Sequence, residues 1–448
     1  MNPSSRPNSR QDLRTSNCSA NRATMDGEEL ATVSPPTRQP GLRAAFSPKK
    51  EERVFLAQGV YTFTLPGRTS SVTVSVKCAG STDEEAMDAD KVSINVYWDE
   101  EQRRPAVGLF KVDRIVETSL HGLVDEQRVA RQLAWQLLLY DALNHERATW
   151  AALYCFWIRH KRFDRLPILC DGQSSDARVR DYLLQSGLGL TSPTESDVVL
   201  LDRNAFWQGA GAPNELHWLR SPVPVRGVFP HTLSFTRTAS PPVVTTHPLR
   251  PPKPEPGTVV YSRYIFSCHQ HLELVHIDPA SPAHFEAYCR WQNSDRVHHG
   301  WRERGPAQKH REYLEAKAAD PHGMGVLVTW DGVPAGYGEM VWSKEDPMAP
   351  YVGGLGDYDQ GTHLLIGEEA YRGKHRFTAC MVSLKHACFL RDPRTEIVVG
   401  EPRYDLHIVP LLATFLPQEI RREVELPHKR AVFFVLRRDR FFDEAILE

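Results

Sequence analysis

The chain of 448 residues contains no run of about 18 consecutive apolar residues, the length a helical membrane span needs. Its start, Met1-Asn2-Pro3-Ser4-Ser5-Arg6, lacks an apolar h-region, so no secretory signal is expected, and its last residues, Ile446-Leu447-Glu448, are not a Ser-Lys-Leu peroxisomal address. Cysteine is sparse: eight residues, with no Cys-x-x-Cys among them, argue against a disulfide frame or a zinc cage and read as reduced thiols. An excess of charge is missing too. With 54 Lys and Arg against 56 Asp and Glu, the net charge of −2 gives no electrostatic case for nucleic acid or an anionic membrane as partner. The expectation is a cytoplasmic protein.

What is present is the composition of a soluble globular protein, 41% apolar and 25% charged, on a chain long enough for two domains. Residues 1–52, rich in Ser, Pro, Asn and Arg, hold too little apolar material to offset ordering entropy and read as a disordered tail. From Val54 the pattern turns β-rich, with alternation in 72–76 and 92–97. The stretch Glu126–Arg162, with Leu133, Gln136-Leu137-Leu138, Ala142-Leu143 and 150–158, reads as one or two amphipathic helices. Seven prolines in 239–257 predict an extended linker between a domain at 53–238 and a second at 258–448.

After the linker, 261–277 reads as strands, with helices around 283–291 and 309–319. A hairpin joins 324–330 to 336–342 through the turn Asp331-Gly332. Strand 363–367, helix 378–390, strand 396–400, a helix near 408–415 and strand 431–436 complete a mixed α/β order. Both halves pass from a helix through a strand, an apolar segment and a second strand to a short closing motif. That motif is Arg203-x-x-Phe206-Trp207 in the first half and Arg438-x-x-Phe441-Phe442 in the second. The spacings differ, so a duplicated fold and a coincidence of common orders both stay open.

The segment 359–376 carries the chemistry. A strand, a short loop with glycine and several cations, and then a helix bring backbone N–H groups and a positive helix end to one place, which suits a pyrophosphate or an ordinary solvated turn. Residues 286–442 resemble the acyltransferases of hydroxamate siderophore synthesis, a branch of the GNAT superfamily. The resemblance rests on Trp291-Gln292-Asn293 with Arg296-Val297, on 337–346, on Asp359 through Arg376, on Asp392-Pro393-Arg394-Thr395 with 399–405, and on Pro427-His428-Lys429-Arg430-Ala431 running to Phe442. It implies a GNAT-like α+β fold in two mixed-sheet domains, the C-terminal one catalytic and the N-terminal one a degenerate duplicate.

The same resemblance implies acyl-CoA as co-substrate, held by Leu365, Ile366, Gly367, Arg372, Gly373, Lys374, His375 and Arg376. The usual glycine-rich phosphate motif is altered, since His375 and Phe377 stand at its small positions. His363 becomes the candidate general base, expected as a near-neutral imidazole, with Glu401 as its carboxylate partner and Asp405 as the competing one. Asn293, Glu339, Trp342, Lys344, Glu345 and Asp346 are the substrate-binding candidates. No metal, permanent cofactor, nucleic acid or membrane is implied, and a homodimer is compatible with the sequence.

The implied reaction moves an acyl group, acetyl or anhydromevalonyl in type, onto the hydroxylated side-chain nitrogen of N5-hydroxy-L-ornithine. That oxygen lowers the nitrogen's pKa far below the value of roughly 10.4 for a lysine-type amine, leaving a neutral nucleophile at pH 7. Two rivals stand beside it: an N6-hydroxylysine acetyltransferase, and a non-catalytic scaffold for siderophore intermediates.

Overall fold

The computed structural model describes residues 59–64, 71–78, 92–98, 106–118, 130–139, 145–159, 165–170, 174–192, 195–212, 231–235 and 244–444, with 446 and 447. The chain divides into units Met1–Ala44 and Ala45–Glu448. The tail predicted at 1–52 lies outside the described residues, and every described element belongs to the second unit.

Two eight-stranded sheets dominate that unit. The first comprises β1 (Gly59–Thr64), β2 (Ser71–Cys78), β3 (Val92–Trp98), β4 (Ala106–Thr118), β5 (Ala130–Leu139), β6 (Arg165–Leu169), β7 (Gly189–Thr191) and β8 (Val198–Asp202). Its spatial order is β1-β2-β3-β4-β5-β6-β8-β7. A two-stranded ribbon comes next, β9 (His231–Phe235) with β10 (Val244–Pro248). The second sheet comprises β11 (Val259–Ile265), β12 (Gln270–His276), β13 (Gly323–Trp330), β14 (Val333–Trp342), β15 (Gln360–Ile366), β16 (Ile397–Gly400), β17 (Glu419–Leu426) and β18 (Lys429–Arg437). Its order, β11-β12-β13-β14-β15-β16-β18-β17, repeats that of the first. Each sheet has one parallel pair, β5 with β6 and β15 with β16.

The described helices of the first half are α1 (His145–Arg159), α2 (Ser174–Gln185) and α3 (Arg203–Trp207). In the second half α4 (Pro282–Gln292), α5 (Asp295–Trp301) and α6 (Ala307–Ala319) precede the β13–β14 hairpin. There α7 (Ala349–Val352), α8 (Lys374–Arg391), α9 (Val409–Phe415) and α10 (Arg438–Asp443) complete the fold. The hairpin turns on Asp331 and Gly332, with φ of 48° and 81°, the two left-handed residues that an Asp-Gly turn supplies.

One reading of the sequence changes, one gains detail and one strand is new. The helical reading of Glu126–Arg162 fails in its first part: residues 130–139 form β5, paired to β4 over most of its length, and the helix begins at His145. Leu133, Trp135, Leu137 and Leu139 recur with period two, which is a strand period. The proline-rich segment, read as an extended linker, is tied down along its length. Val244–Pro248 pairs as a strand, Arg250 ties to Glu345, and the Lys253 ammonium donates to the carbonyls of Lys317, Asp320 and Gly323 at 2.8, 2.8 and 3.1 Å. β17, unassigned from sequence, is an edge strand whose charged outer residues hide its period and guard its edge.

The halves share one apolar core. Buried Arg203 donates to the Phe442 carbonyl at 3.1 Å, and the Tyr264 amide donates to the Tyr154 hydroxyl at 3.1 Å. His386 bridges the seam, one ring nitrogen 2.6 Å from the Trp207 carbonyl and the other 2.9 Å from the Tyr261 hydroxyl. Burial drives its pKa down to about 3, so the ring is neutral, donating to the carbonyl and accepting from the phenol.

Candidate active site

Register builds the site. Glu339 on β14 lies directly opposite His363 on β15, so the two side chains share a face. β15 and β16 pair only at Gln360–Val398 and Gly361–Val399 and then part. His363 and Glu401 each stand two residues past the Gly361–Val399 rung, beyond the end of the ladder. Lys429 opens β18, and Lys317 with Tyr313, four residues apart on α6, lies on the far side of Glu339.

The result is a row of alternating charge across five elements. Lys317 Nζ lies 3.5 Å from Glu339 Oε2, which lies 3.0 Å from His363 Nδ1. His363 Nε2 lies 2.7 Å from Glu401 Oε1, which Lys429 Nζ approaches at 3.2 Å. Tyr313 and Tyr337 donate to Glu339 Oε1 at 2.5 and 2.9 Å. The carboxylates are 3% and 7% exposed and the His363 side chain 29%, so the row opens to solvent at the imidazole. The Trp301 ring stands edge-on to His363, with centroids 6.2 Å apart.

These neighbours set the protonation. Burial works against a charged His363, but Glu401, Glu339 and their hydrogen bonds raise its pKa to about 10. Burial would lift Glu401, yet the charges of His363 and Lys429 hold it well below the usual carboxylate range. Glu339 is held down in the same way by Lys317 and His363. The near-neutral imidazole expected from sequence is therefore corrected: the resting ring is an imidazolium between two carboxylates. Half-buried Asp346 behaves oppositely, raised to about 6 by burial and by the charge of Glu401.

The remaining candidates separate. Asp405 does not reach His363; Arg403 binds it at 2.8 and 3.1 Å, and Glu401 takes the partner position. Glu339 faces the histidine and two phenols rather than open space. Trp342 is fully buried between the guanidinium groups of Arg250 and Arg391, 4.1 and 4.6 Å from its ring centroid, and cannot meet a substrate. Glu345, 1% exposed, is held by two nitrogens of Arg250 at 2.6 and 3.2 Å and is structural for the same reason. The Asn293 side chain accepts from the Gly305 amide at 3.0 Å and secures the loop after α5. Lys344 pairs with Asp357 at 2.5 Å. Of the six substrate candidates, Glu339 is bonded to His363 itself, and Asp346 is the other whose surroundings tie it to His363 and Glu401.

In the phosphate-loop segment, Leu365 and Ile366 are buried at the end of β15. A Cβ on Gly367 would lie 2.2 Å from the Trp291 ring, so only glycine lets the strand pass that indole. Gly373 caps α8 at φ 121°, ψ 159°, a conformation that favours glycine, and no side chain caps the helix. Arg372, Gly373, Lys374 and His375 are exposed around that end. Arg372 pairs with Glu369 at 2.6 Å, whereas Arg376 turns away to Gln270 Oε1 at 2.8 Å and is less available to a ligand.

Sequence reasoning missed Lys317, Tyr313, Tyr337, Trp301 and Lys429. The signals for Lys429 and Tyr337 lay in the Pro427–Ala431 and 337–346 motifs themselves; the others come from α5 and α6, whose approach no local pattern announces.

Comparison with known proteins gives this arrangement its class. Residues 281–413 match the model of the acetyltransferase (GNAT) domain. Acyltransferase fer5 of Mycosarcoma maydis is 68% identical over 93% of this chain and 98% of its own length, and Acyltransferase ato1 of Omphalotus olearius is 50% identical over 88% and 97%. The N(5)-hydroxyornithine:cis-anhydromevalonyl coenzyme A-N(5)-transacylase SIDF of Beauveria bassiana is 38% identical over 54% of this chain and 57% of its own. The chain is thus an acyl-transferring enzyme that uses acyl-CoA as co-substrate. The chain belongs to the siderophore-type acyltransferases of the GNAT superfamily. Among the described residues no helix is long and apolar enough to cross a membrane.

Proposed function

We propose that the enzyme acylates the side-chain nitrogen of N5-hydroxy-L-ornithine in the cytosol, giving a hydroxamate, and that His363 and Glu401 handle the proton. The observation that carries this is the charge row centred on a partly exposed His363 beyond the point where β15 and β16 part. A neutral hydroxylamine nitrogen attacks the thioester carbon, the C–S bond breaks, and CoA leaves as the thiol once protonated. The imidazolium of His363 gives a proton to the departing thiolate and the nitrogen's proton restores the ring, so the His363–Glu401 pair ends as it began. An already neutral nucleophile needs no stronger base. The N–H groups at the start of α8, with Arg372, Lys374 and His375, form the proposed pyrophosphate site.

The 53–238 half is read as a non-catalytic duplicate of the 258–448 half, supported by the shared strand order. Turnover of N5-hydroxyornithine, N6-hydroxylysine and ornithine with acetyl-CoA at pH 7, followed by mass spectrometry, tests the acceptor. Hydroxyornithine should exceed ornithine by at least about 10²-fold, the scale of a correctly protonated nucleophile. Equal turnover of the two defeats the reading, and a preference for hydroxylysine moves the acceptor by one methylene.

A further inference from the structure

We propose that Asp346 is a specificity-determining residue for the acceptor: its open carboxylate oxygen accepts a hydrogen bond from the N-hydroxyl of the substrate, beside the nitrogen that attacks. This rests on the reading that the acceptor is a hydroxylated side-chain amine whose nitrogen meets the His363–Glu401 pair.

The path of the chain puts Asp346 there. β15 and β16 last pair at Gly361–Val399, and His363 and Glu401 stand two residues further along. The segment leaving β14 crosses that rung. A Cβ on Gly361 would lie 3.1 Å from Val341 Cγ2, 3.2 Å from Ser343 Oγ and 3.5 Å from Val399 Cγ2, and Met348 packs in one apolar cluster with Val399. Asp346, between Ser343 and Met348, is therefore carried over the two strands next to the pair. Its carboxyl feels the charges of Glu401, His363 and Lys317.

That carboxyl is held at one oxygen only. The Asp346 amide donates to the Ser343 carbonyl at 3.3 Å, and the Asp346 carbonyl accepts from the Ala349 amide at 2.9 Å. Oδ1 accepts from the Met348 amide at 2.9 Å, which fixes the side chain in a turn. Oδ2 takes no hydrogen bond from any described residue. A turn of this kind needs one oxygen, which Asn or Ser supplies without charge. Here burial and the charge of Glu401 raise the carboxyl to about 6, a cost that the turn does not require. Perturbed carboxyls in such surroundings gather where a ligand meets the protein.

The chemistry of the acceptor matches. Its hydroxyl oxygen is one bond from the attacking nitrogen, so a nitrogen placed at the His363–Glu401 pair presents the hydroxyl to that pair's neighbours. Glu401 is engaged by His363 and Lys429, and Glu339 by His363, Tyr313 and Tyr337. Asp346 Oδ2 is the open oxygen beside them. A hydroxyl donating to a carboxylate makes a charge-assisted bond. A site built to hold a hydroxyl also discriminates strongly against an analogue without the donor, because its own polar group is then left unpaired. The substrate's α-ammonium lies at the other end of the side chain, away from this contact.

The test sets N5-hydroxyornithine against N5-methoxyornithine, whose nitrogen is also neutral at pH 7 but whose oxygen has no proton to give. In Asp346→Asn the amide oxygen keeps the Met348 bond and the NH2 group replaces Oδ2, a donor where an acceptor stood. The parent should prefer the hydroxy acceptor by about 10- to 100-fold in kcat/KM, the scale of a hydrogen bond to a charged group. The variant, with a melting temperature close to the parent's, should lose most of that preference. 5-(Hydroxyamino)pentanoic acid, which lacks the α-amino group, should depend on Asp346 as strongly as hydroxyornithine does. A preference that survives Asp346→Asn overturns the proposal, as does a variant that loses both acceptors alike. If the dependence on Asp346 vanishes with the pentanoic acid, the residue holds the ammonium instead and the proposal falls. N6-hydroxylysine carries the same hydroxyl, so an enzyme that prefers it is tested against N6-methoxylysine in the same way. Equal turnover of ornithine and hydroxyornithine by the parent defeats the acceptor reading and this proposal together; a hydroxyornithine preference over ornithine with no Asp346 dependence defeats this proposal alone.

Discussion

The two halves have the same strand order and the same single parallel pair, yet they differ at one rung. Aligning the closing helices on Arg203 and Arg438 matches Leu200 with Val435, and hence their ladder partners Pro167 and Val399. On that register Leu169 stands where Glu401 does. Gln136, the parallel partner of Leu169, stands where His363 does, and Lys111, opposite Gln136, takes the place of Glu339. In the first half the ladder is still closed at the Gln136–Leu169 rung. In the second it has already ended, two residues earlier, at Gly361–Val399. On the proposed function, a parallel pair that opens early leaves room for a thioester and one that stays closed does not. On that reading a shared topology carries no activity until the strands part at the right residue.

The sharpest way to break this comparison is to mutate both halves at the matched position. His363→Ala should lower kcat by about 10²-fold or more with donor affinity unchanged, whereas Gln136→Ala should leave kcat as it is. Comparable losses from both, measured on folded protein, would mean that the first half takes part in the reaction.

The second effect is on stability. Arg203→Met removes a buried guanidinium contact to the Phe442 carbonyl across the seam, and should cost about 1.5–3 kcal/mol in urea unfolding. Because the halves share a core, tryptophan fluorescence and far-UV circular dichroism should report one coincident transition. Two separated transitions would show that the halves are independent domains.

A third outcome concerns pH. The folded pKa of His363, about 10, lies above its ordinary value near 6.5, so its contribution to stability is full below about pH 6.5 and is lost as pH rises toward 10. The melting temperature should fall over that window less steeply in His363→Gln than in the parent. NMR of labelled histidine should show a ring still charged at pH 8; a titration centred near 6.5 would return the site to a neutral base.

The smallest effect is expected at Arg372. The side chain is exposed and already paired with Glu369, so Arg372→Ala should raise the donor KM only a few-fold, the weight of about 1 kcal/mol, and leave the acceptor KM alone. A rise in the acceptor KM instead would move the loop to the other substrate.

Much of the second half was legible because its signals are local. The Asp331-Gly332 turn, the buried alternation of β13 and β14, and the glycine before α8 each state their conformation within a few residues. β5 was misread because Leu137-Leu138-Leu139 satisfies both a helical and a strand period, and pairing with β4 decided between them. Trp342, Glu345 and Asn293 looked like substrate contacts because they are polar or aromatic near the motif. Arg250, from ninety-odd residues upstream, turns two of them inward.

By itself the sequence determined a mixed α/β order with His363 and Glu401 on or just after consecutive strands, since side-chain period is a property of neighbours in the chain, and its resemblance to a known family implied an acyltransferase. The tertiary structure decided that Glu339 is a second carboxylate on the histidine, that Lys317 and Lys429 extend the row, and that the ring is charged. A pKa is set by the field of groups brought together across strands and helices, and that field exists only once the sheet has formed.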